Sequence, residues 1–272
     1  MRRQFTAVRA VTEAAEGTNP GTVLTDAVEA WALGVVPDVQ FVEAKGLSSS
    51  LDPFRGTTGA RRQKMKFSTY LMGVNAASGN SVTSKAEWQE LFVACGWGVT
   101  YNAAVSVVVQ RAAPTAFTGA GNSASLEAYE DGREWTQLGS RGTWKLRGVV
   151  GEPLEVDWDF DGQYSAPITA ALPTQDYDAV QKSVWMGTNL CSLTPAGGGA
   201  YIPIVSAFEI DVAQKVTPYR NANAAAGYST FEIEEGTCEG SMRVRAPLET
   251  AHGFWANFTS DTTYALSLQV GS

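Results

Sequence analysis

Residues 125–164 read SLEAYEDGREWTQLGSRGTWKLRGVVGEPLEVDWDFDGQY, and their pattern decides the fold class. In the second half Leu154, Val156, Trp158 and Phe160 alternate without a break with Glu155, Asp157, Asp159 and Asp161. Successive side chains of a strand point to opposite faces, so the run predicts one strand with an apolar side over a core and a fully anionic other side. Upstream, Thr143-Trp144-Lys145-Leu146-Arg147 alternates in the same way, and Gly148 to Pro153 gives the chain a place to reverse. The two runs form an antiparallel hairpin on this reading. Before them, Asp131-Gly132 is the pair that a tight primed turn demands, between runs ending at Tyr129 and starting at Trp135. The whole stretch is expected to be a meander of four strands.

The composition agrees with a β-rich chain. The 272 residues suffice for one large β domain or two small ones, and 27 glycines, eight tryptophans and many Thr, Val and Ser suit short strands and turns. With 20 Lys+Arg against 28 Asp+Glu and a net charge of −8, the chain is expected to repel nucleic acid rather than hold it. Cys95, Cys191 and Cys238 lie far apart, in no metal-like spacing, and their odd number argues against a disulfide framework; buried, reduced thiols are expected. Met1-Arg2-Arg3 is followed by no apolar leader, and no later run approaches a membrane span, which points to a chain made and kept soluble in the cytoplasm, with no membrane partner.

Outward from the meander, residues 1–37 mix apolar and small polar residues around Gly17-Thr18-Asn19-Pro20-Gly21 without clear period, and read as an N-terminal arm. Val39–Leu47 and Lys64–Met72 read as one hairpin. Its connection, from Ser48 to Arg62, is long and polar, and Ser48, Ser49, Ser50, Asp52, Phe54, Arg55, Arg61 and Arg62 are candidates for a loop that reaches a neighbouring subunit. Ser84 to Cys95 is the one clear helix, with a Ser84/Glu87 capping box and Trp88, Leu91, Phe92 and Cys95 on one stripe. A strand runs from Val105 to Arg111.

After Tyr164, a proline-containing passage and Gly197-Gly198-Gly199 suggest a boundary, giving a first β domain over 38–165 and a second over 166–272. In the second, Phe208, Ile210 and Val212 alternate with Glu209 and Asp211, Tyr228 to Ala246 alternates again with Glu232 and Glu234 among the polar positions, Pro247–Phe258 is a weaker helix, and Tyr264–Val270 a last strand. Asp52-Pro53-Phe54-Arg55 and Thr217-Pro218-Tyr219-Arg220 occupy similar places in the two halves, which suggests an internal duplication. The expected architecture is therefore mainly β: two sandwich or barrel lobes with one or two short flanking helices.

Catalytic material is sparse. His252 is the single histidine, and no phosphate loop, dinucleotide fingerprint or nucleophile elbow occurs. The acids at 155–161 could supply a carboxylate pair for glycoside chemistry, but Lys145 and Arg147 across the hairpin explain them more simply as a charged surface with cross-strand pairs. No enzyme activity, metal or cofactor is expected.

Several segments resemble the major tail tube proteins of long-tailed bacteriophages, of the siphovirus type. These are Thr12 to Pro20, the Trp88 to Trp97 helix ending in Ala-Cys-Gly-Trp, Tyr129-Glu130-Asp131-Gly132, Gly139 to Leu146, Gly151 to Leu154 and Asp159 to Tyr164. The resemblance covers about the first two-thirds of the chain and is a pattern of glycines and strand residues. It implies a structural virion protein, assembled in the host cytoplasm, whose rings stack into the hollow tail through which DNA is ejected. The partners implied are further copies of the chain in trimeric or hexameric rings, with the duplication favouring trimers, a tape measure protein, tail-end proteins, and DNA that passes without tight binding. Glu155, Asp157, Asp159 and Asp161, or Glu209, Asp211, Glu232 and Glu234, are candidates for an acidic lumen wall. Two alternatives are another ring-forming virion part (tail terminator, baseplate or capsid decoration) and a carbohydrate-binding β-sandwich, the latter motivated by the tryptophans.

Overall fold

The alternation at 125–164 is realised on three strands, not four. The computed structural model describes residues 6–20, 27–43, 56–71, 88–102, 106–111, 122–172, 185, 191–195, 201–245 and 253–268. Strand β6 (Ala124–Glu130) turns at Asp131-Gly132, both at positive φ as a type I′ turn requires, into β7 (Arg133–Val149). The Trp135 run and the Thr143–Arg147 run are thus one 17-residue strand. It stays continuous because Gly139, at φ 61, absorbs a bend where the register against β8 (Glu155–Tyr164) shifts between Leu138 and Arg141.

That bend lets β7 join two sets of neighbours within one sheet. On one edge β8 accompanies it from Gln137 to Arg147, and the two-residue β9 (Ile168–Thr169) pairs at Arg133 and Glu134. On the other, its first half pairs with β6, from Arg133 to Ser140, and its last residues, Lys145 to Val149, pair with β11 (Val205–Asp211). Residues 6–12 and 27–37 are not an arm. They supply β1 (Thr6–Thr12), which lies between β6 and β2, and most of β2 (Ala27–Val42). Ala7 and Val8 are fully buried, and that burial is what ties down a segment near the start of the chain. Strand β2 pairs with β3 (Thr57–Tyr70), which pairs with β8. The ring β7-β6-β1-β2-β3-β8 therefore closes as a six-stranded barrel, and β11 and β14 (Glu239–Val244) extend it from β7.

β2 and β3 do form a hairpin, but not in the expected register: residues 64–69 pair with 30–36 and Val39–Val42 with residues 57–61, so Arg61 and Arg62 lie within β3 rather than in a loop. The remaining candidate loop residues, Ser48, Ser49, Ser50, Asp52, Phe54 and Arg55, lie outside the described residues. The helix α1 (Gln89–Ala94) buries Leu91, Phe92 and Ala94 as its stripe predicts, and Trp88 and Cys95 at its ends are buried too; Ser84 and Glu87 lie outside the described residues. Phe92 stands edge-on to Trp144 (5.2 Å) and Trp158 (4.9 Å), joining the helix to the apolar side of β7 and β8. Met65, Phe67, Val156 and Phe160 complete this core. A strand that the sequence reading overlooked, β4 (Trp97–Asn102), pairs with β5 (Ser106–Arg111).

Residues beyond 165 do not repeat the first architecture among the described residues. Strands β11 and β14 are added to β7, β12 (Gln214–Arg220) pairs with β13 (Tyr228–Gly236), and β10 (Cys191–Pro195) pairs with β15 (Tyr264–Leu268). The sheet thus crosses the expected boundary through β7–β11 hydrogen bonds. Pro218-Tyr219-Arg220 lies inside a strand, so its likeness to Pro53-Phe54-Arg55 marks no shared loop. The second helix is α2 (Phe254–Thr259), with Gly253 at its N-cap and Trp255 73% exposed instead of facing a core. Cys95 and Cys191 are buried thiols, but Cys238 is exposed.

Candidate assembly surface

Register places most of the expected acids on one face. Residues directly opposite each other on paired strands share a side. Lys66, Ser68 and Tyr70 on β3 stand opposite Asp159, Asp157 and Glu155 on β8, which in turn stand opposite Thr143, Lys145 and Arg147 on β7. Arg147 and Lys145 then stand opposite Glu209 and Asp211 on β11. The layer β2-β3-β8-β7-β11-β14 therefore has one polar face on which rows of opposite charge alternate.

The rows are closely paired. Lys66 reaches Asp159 at 2.6 Å, Arg147 reaches Asp157 at 2.5 Å, Lys145 reaches Glu209 at 2.8 Å and Asp211 at 3.6 Å, and Lys64 reaches Asp161 at 3.3 Å. Hydrogen bonding to Glu209 raises the Lys145 pKa, with the nearby charges of Glu209 and Asp211 adding to it. Arg62 links outward to Asp38 on β2 at 2.7 Å. Eight carboxylates, Asp38, Glu155, Asp157, Asp159, Asp161, Glu209, Asp211 and Glu239, share the face with seven cations, Arg62, Lys64, Lys66, Arg141, Lys145, Arg147 and Arg243, a balance of −1. The face is therefore a charge-alternating ladder with a small negative excess, in which Lys145 and Arg147 stand across from β8 as the hairpin reading expects and Lys64 and Lys66 flank it on the other side. Ions two residues apart on one strand stand about 7 Å from each other, so without the flanking cations the four acids of β8 would repel.

Glu232 and Glu234 belong elsewhere. They project from β13, where Glu234 accepts from Lys215 Nζ at 3.1 Å and Tyr219 Oη at 3.3 Å; hydrogen bonds from Thr217 and then Lys215 hold its carboxyl below the usual range. The β12–β13 hairpin crosses the lower end of the charged face. Gln214 N donates to Thr143 Oγ1 (3.0 Å), Arg61 N to Ala226 O (2.8 Å) and Gln163 Nε2 to Ser229 O (3.3 Å). Beneath it, Asp161 is almost buried, and burial pushes its carboxyl above the ordinary value against the pull of Lys64 and Arg62.

A second polar cluster, absent from the sequence-based candidates, lies beside that cover. The Glu13 carboxylate is fully buried and accepts four hydrogen bonds: from Gly17 N (2.7 Å) and Ser123 Oγ (2.8 Å) on one oxygen, and from Ser125 Oγ (2.7 Å) and Gly139 N (2.8 Å) on the other. Gly17 and Gly139 both have positive φ, which brings their N–H groups round to the carboxylate. Nearby, Glu16 accepts from Phe231 N at 3.0 Å and lies 3.5 Å from Arg141, itself 0% exposed. Burial raises the Glu16 pKa despite the Phe231 hydrogen bond and the Arg141 charge. The signal was in the sequence, since Thr12–Pro20 and Gly139–Leu146 carry the family resemblance, but nothing in either segment says that they meet.

An open groove of about 320 Å³ crosses the ladder, lined by Lys66, Ser68, Thr143, Lys145, Asp157 and Asp159 among others. Every charged group named there is engaged with an opposite charge or a hydroxyl, which suits a surface that neutralises itself better than one that grips a charged ligand. Among the described residues no group of three or more His, Cys, Asp or Glu could hold a metal ion, and His252 lies outside them. Trp88, Trp144, Trp158 and Trp185 are core residues, which removes them from any sugar-stacking platform. Among the described residues no helix is long and apolar enough to cross a membrane. No protein-family model matches the chain, and no curated protein matches it in sequence.

Proposed function

We propose that the chain is a structural protein whose copies join into rings that stack as the hollow tail tube of a long-tailed phage. The observation that carries this reading is a pair of open sheet edges. In the six-strand layer all neighbours are antiparallel, and among the described residues no strand pairs with the outer edge of β14, or with β2 beyond its short pairing to β1 at Ala27–Glu29. Unpaired edges invite pairing with another chain. Six antiparallel strands end on strands of opposite direction, so β14 of one copy would meet β2 of the next in antiparallel sense and continue the sheet. A head-to-tail contact of this kind closes into a ring when its rotation allows.

In such a ring the charged ladder would face the bore. Its cations are held by carboxylates and its balance is slightly negative, so phosphates sliding past would find no free basic row to release their counterions to. Because the described residues form one closed barrel, rings of six copies fit better than the trimers that a duplication would favour. The tape measure and tail-end proteins would occupy the bore and the ends. Negative-stain electron microscopy of the purified protein tests the reading. Stain-filled filaments or stacked rings are expected; closed single rings that never elongate would favour a terminator or baseplate role, and monodisperse single particles at every concentration would sink the proposal.

A further inference from the structure

We infer that the β12–β13 hairpin is a hinged cover, shut over Glu16, Arg141 and Asp161 in this structure, and that it lifts from the sheet without unfolding it when the two carboxyls beneath it are charged. Assembly plays no part in this equilibrium, which belongs to the single subunit.

The hairpin is an insertion between two strands that pair directly with each other. Asp211, the last residue of β11, stands opposite Glu239, the first of β14, so the chain leaves the sheet and returns to it at one place. Among the described residues the hairpin pairs with no strand of the main sheet, so lifting it breaks no ladder there. Its two stalks suit a hinge. On one side Val212 N donates to Trp144 O, and Ala213 follows at φ 31, a left-handed conformation that a residue with a Cβ adopts at a cost. On the other, Gly236 is followed by exposed Thr237 and Cys238. From these stalks the hairpin lies across β7, β8 and β3. It is held by Gln214 N on Thr143 Oγ1, Phe231 N on Glu16 Oε1, Gln163 Nε2 on Ser229 O and, at its tip, Arg61 N on Ala226 O. The tip sits so close on β3 that a Cβ on Gly227, at φ 78, would lie 2.9 Å from the Ala60 Cβ.

What the hairpin covers works against its closure. Tyr228, Phe231 and Ile233 are buried on its underside and favour the shut state. The groups below them are ions. Glu16 faces Arg141 from β7, with Glu13 as a like charge nearby. Asp161 faces Lys64 and Arg62 from β3 and stands opposite Arg141 on β7, with Asp159 beside it on β8. Of the hairpin's own groups, Tyr228 lies near Arg62, while Lys215, Tyr219, Glu232 and Glu234 interact with one another. Gln214 is buried with neither amide atom hydrogen-bonded among the described residues, and Asp161 Oδ1 accepts no hydrogen bond either. Polar atoms buried in this way weaken the closed state. Burial raises both carboxyls above their ordinary values, against the Phe231 hydrogen bond and Arg141 for Glu16 and against Lys64 and Arg62 for Asp161. A carboxyl raised in the closed state is tolerated there best when neutral. Closure is therefore fully favoured below the ordinary carboxylate values and weakens as pH rises through the raised ones. Such a segment opens at a lower free energy than the whole fold. Lifted, it bares the lower end of the charged face.

Hydrogen exchange on dilute full-length protein tests the cover. The amides of Gln214 and Phe231 donate to Thr143 and Glu16 on the sheet side, so they report opening directly. Their protection, corrected for the intrinsic rate, is expected to fall several-fold between about pH 4.5 and about pH 8, while the Phe67 and Trp158 amides of the β3–β8 ladder stay constant. Glu16→Gln with Asp161→Asn is expected to flatten that profile. Gly227→Ala, which crowds Ala60 and alters no titratable group, is expected to lower protection at every pH and keep the slope. Hairpin amides that exchange only at the rate of the ladder would overturn the cover, because opening would then require global unfolding. A fall with pH that persists in the double carboxyl variant would overturn the ionic trigger.

Discussion

The charged sheet holds the same kinds of ion pair under two opposite conditions. At its lower end, beneath the β12–β13 hairpin, Arg141 and Glu16 are shut away from solvent, and Glu13 lies fully buried beside them. At its upper end Lys66–Asp159, Lys145–Glu209 and Arg147–Asp157 are closer than Arg141–Glu16 but partly exposed. In water a pair at 3 Å gains little over separate hydrated ions, whereas a buried charge that loses its partner cannot recover hydration. The lower end therefore fixes how segments distant in sequence meet. The upper end is nearly neutral in energy and contributes little to holding the fold.

Four substitutions would break or sharpen this contrast. The largest effect is expected for Arg141→Leu, which leaves the Glu16 charge buried without its ion-pair partner; a loss of about 3–5 kcal/mol in chemical denaturation is expected. A loss below 1 kcal/mol would mean that the cluster is solvated and that the contrast is false. Glu13→Gln comes next, because an amide nitrogen replaces one oxygen and confronts a backbone N–H, of Gly17 or of Gly139. About 2–3 kcal/mol should be lost, and amide exchange at both glycines should accelerate.

Asp161, under the hairpin's edge, tests the boundary between the two regimes through pH. Its folded-state pKa is raised by burial above the ordinary 3.8, so the folded state resists ionisation. Stability from this group is fully present below the unfolded value and is lost as pH rises through the folded one. The stability of wild type relative to Asp161→Asn should therefore fall on going upward from about pH 4, then level off. A gap that grows in favour of wild type over the same range would show that Lys64 and Arg62 outweigh burial. Smallest of all, Lys66→Ala should cost less than about 1 kcal/mol and lose even that in high salt. A larger loss would place the exposed ladder among the elements that hold the fold.

The sequence-based reading succeeded where a decision depended on neighbours along the chain. The β8 alternation, the Asp131-Gly132 turn and the Leu91/Phe92 stripe all appear as expected, because strand pleat, turn φ and helical period are local geometry. It failed where a segment's fate depended on what covers it. Residues 6–12 carry little period of their own, yet they form a central strand because β6 and β2 hydrogen-bond to both edges. The second helix leaves Trp255 exposed, since apolar residues on a helix do not by themselves supply a surface to pack against. The expected duplication is not shown by the described residues, and hydrogen bonding between β7 and β11 joins later residues to the first sheet.

On its own the sequence determined that this is a β-rich, acidic chain with an acid-studded strand, because period and composition are properties of consecutive residues. Only the tertiary structure decided that those acids are flanked by Lys64 and Lys66 as well as by the Lys145 and Arg147 expected across the hairpin, and that Glu13, Glu16 and Arg141 form a buried knot. The reason is that an ion's partner and its exposure are set by which strands lie beside it. That arrangement rests on pairings between residues up to 215 positions apart, such as Glu16 with Phe231, which no local pattern records.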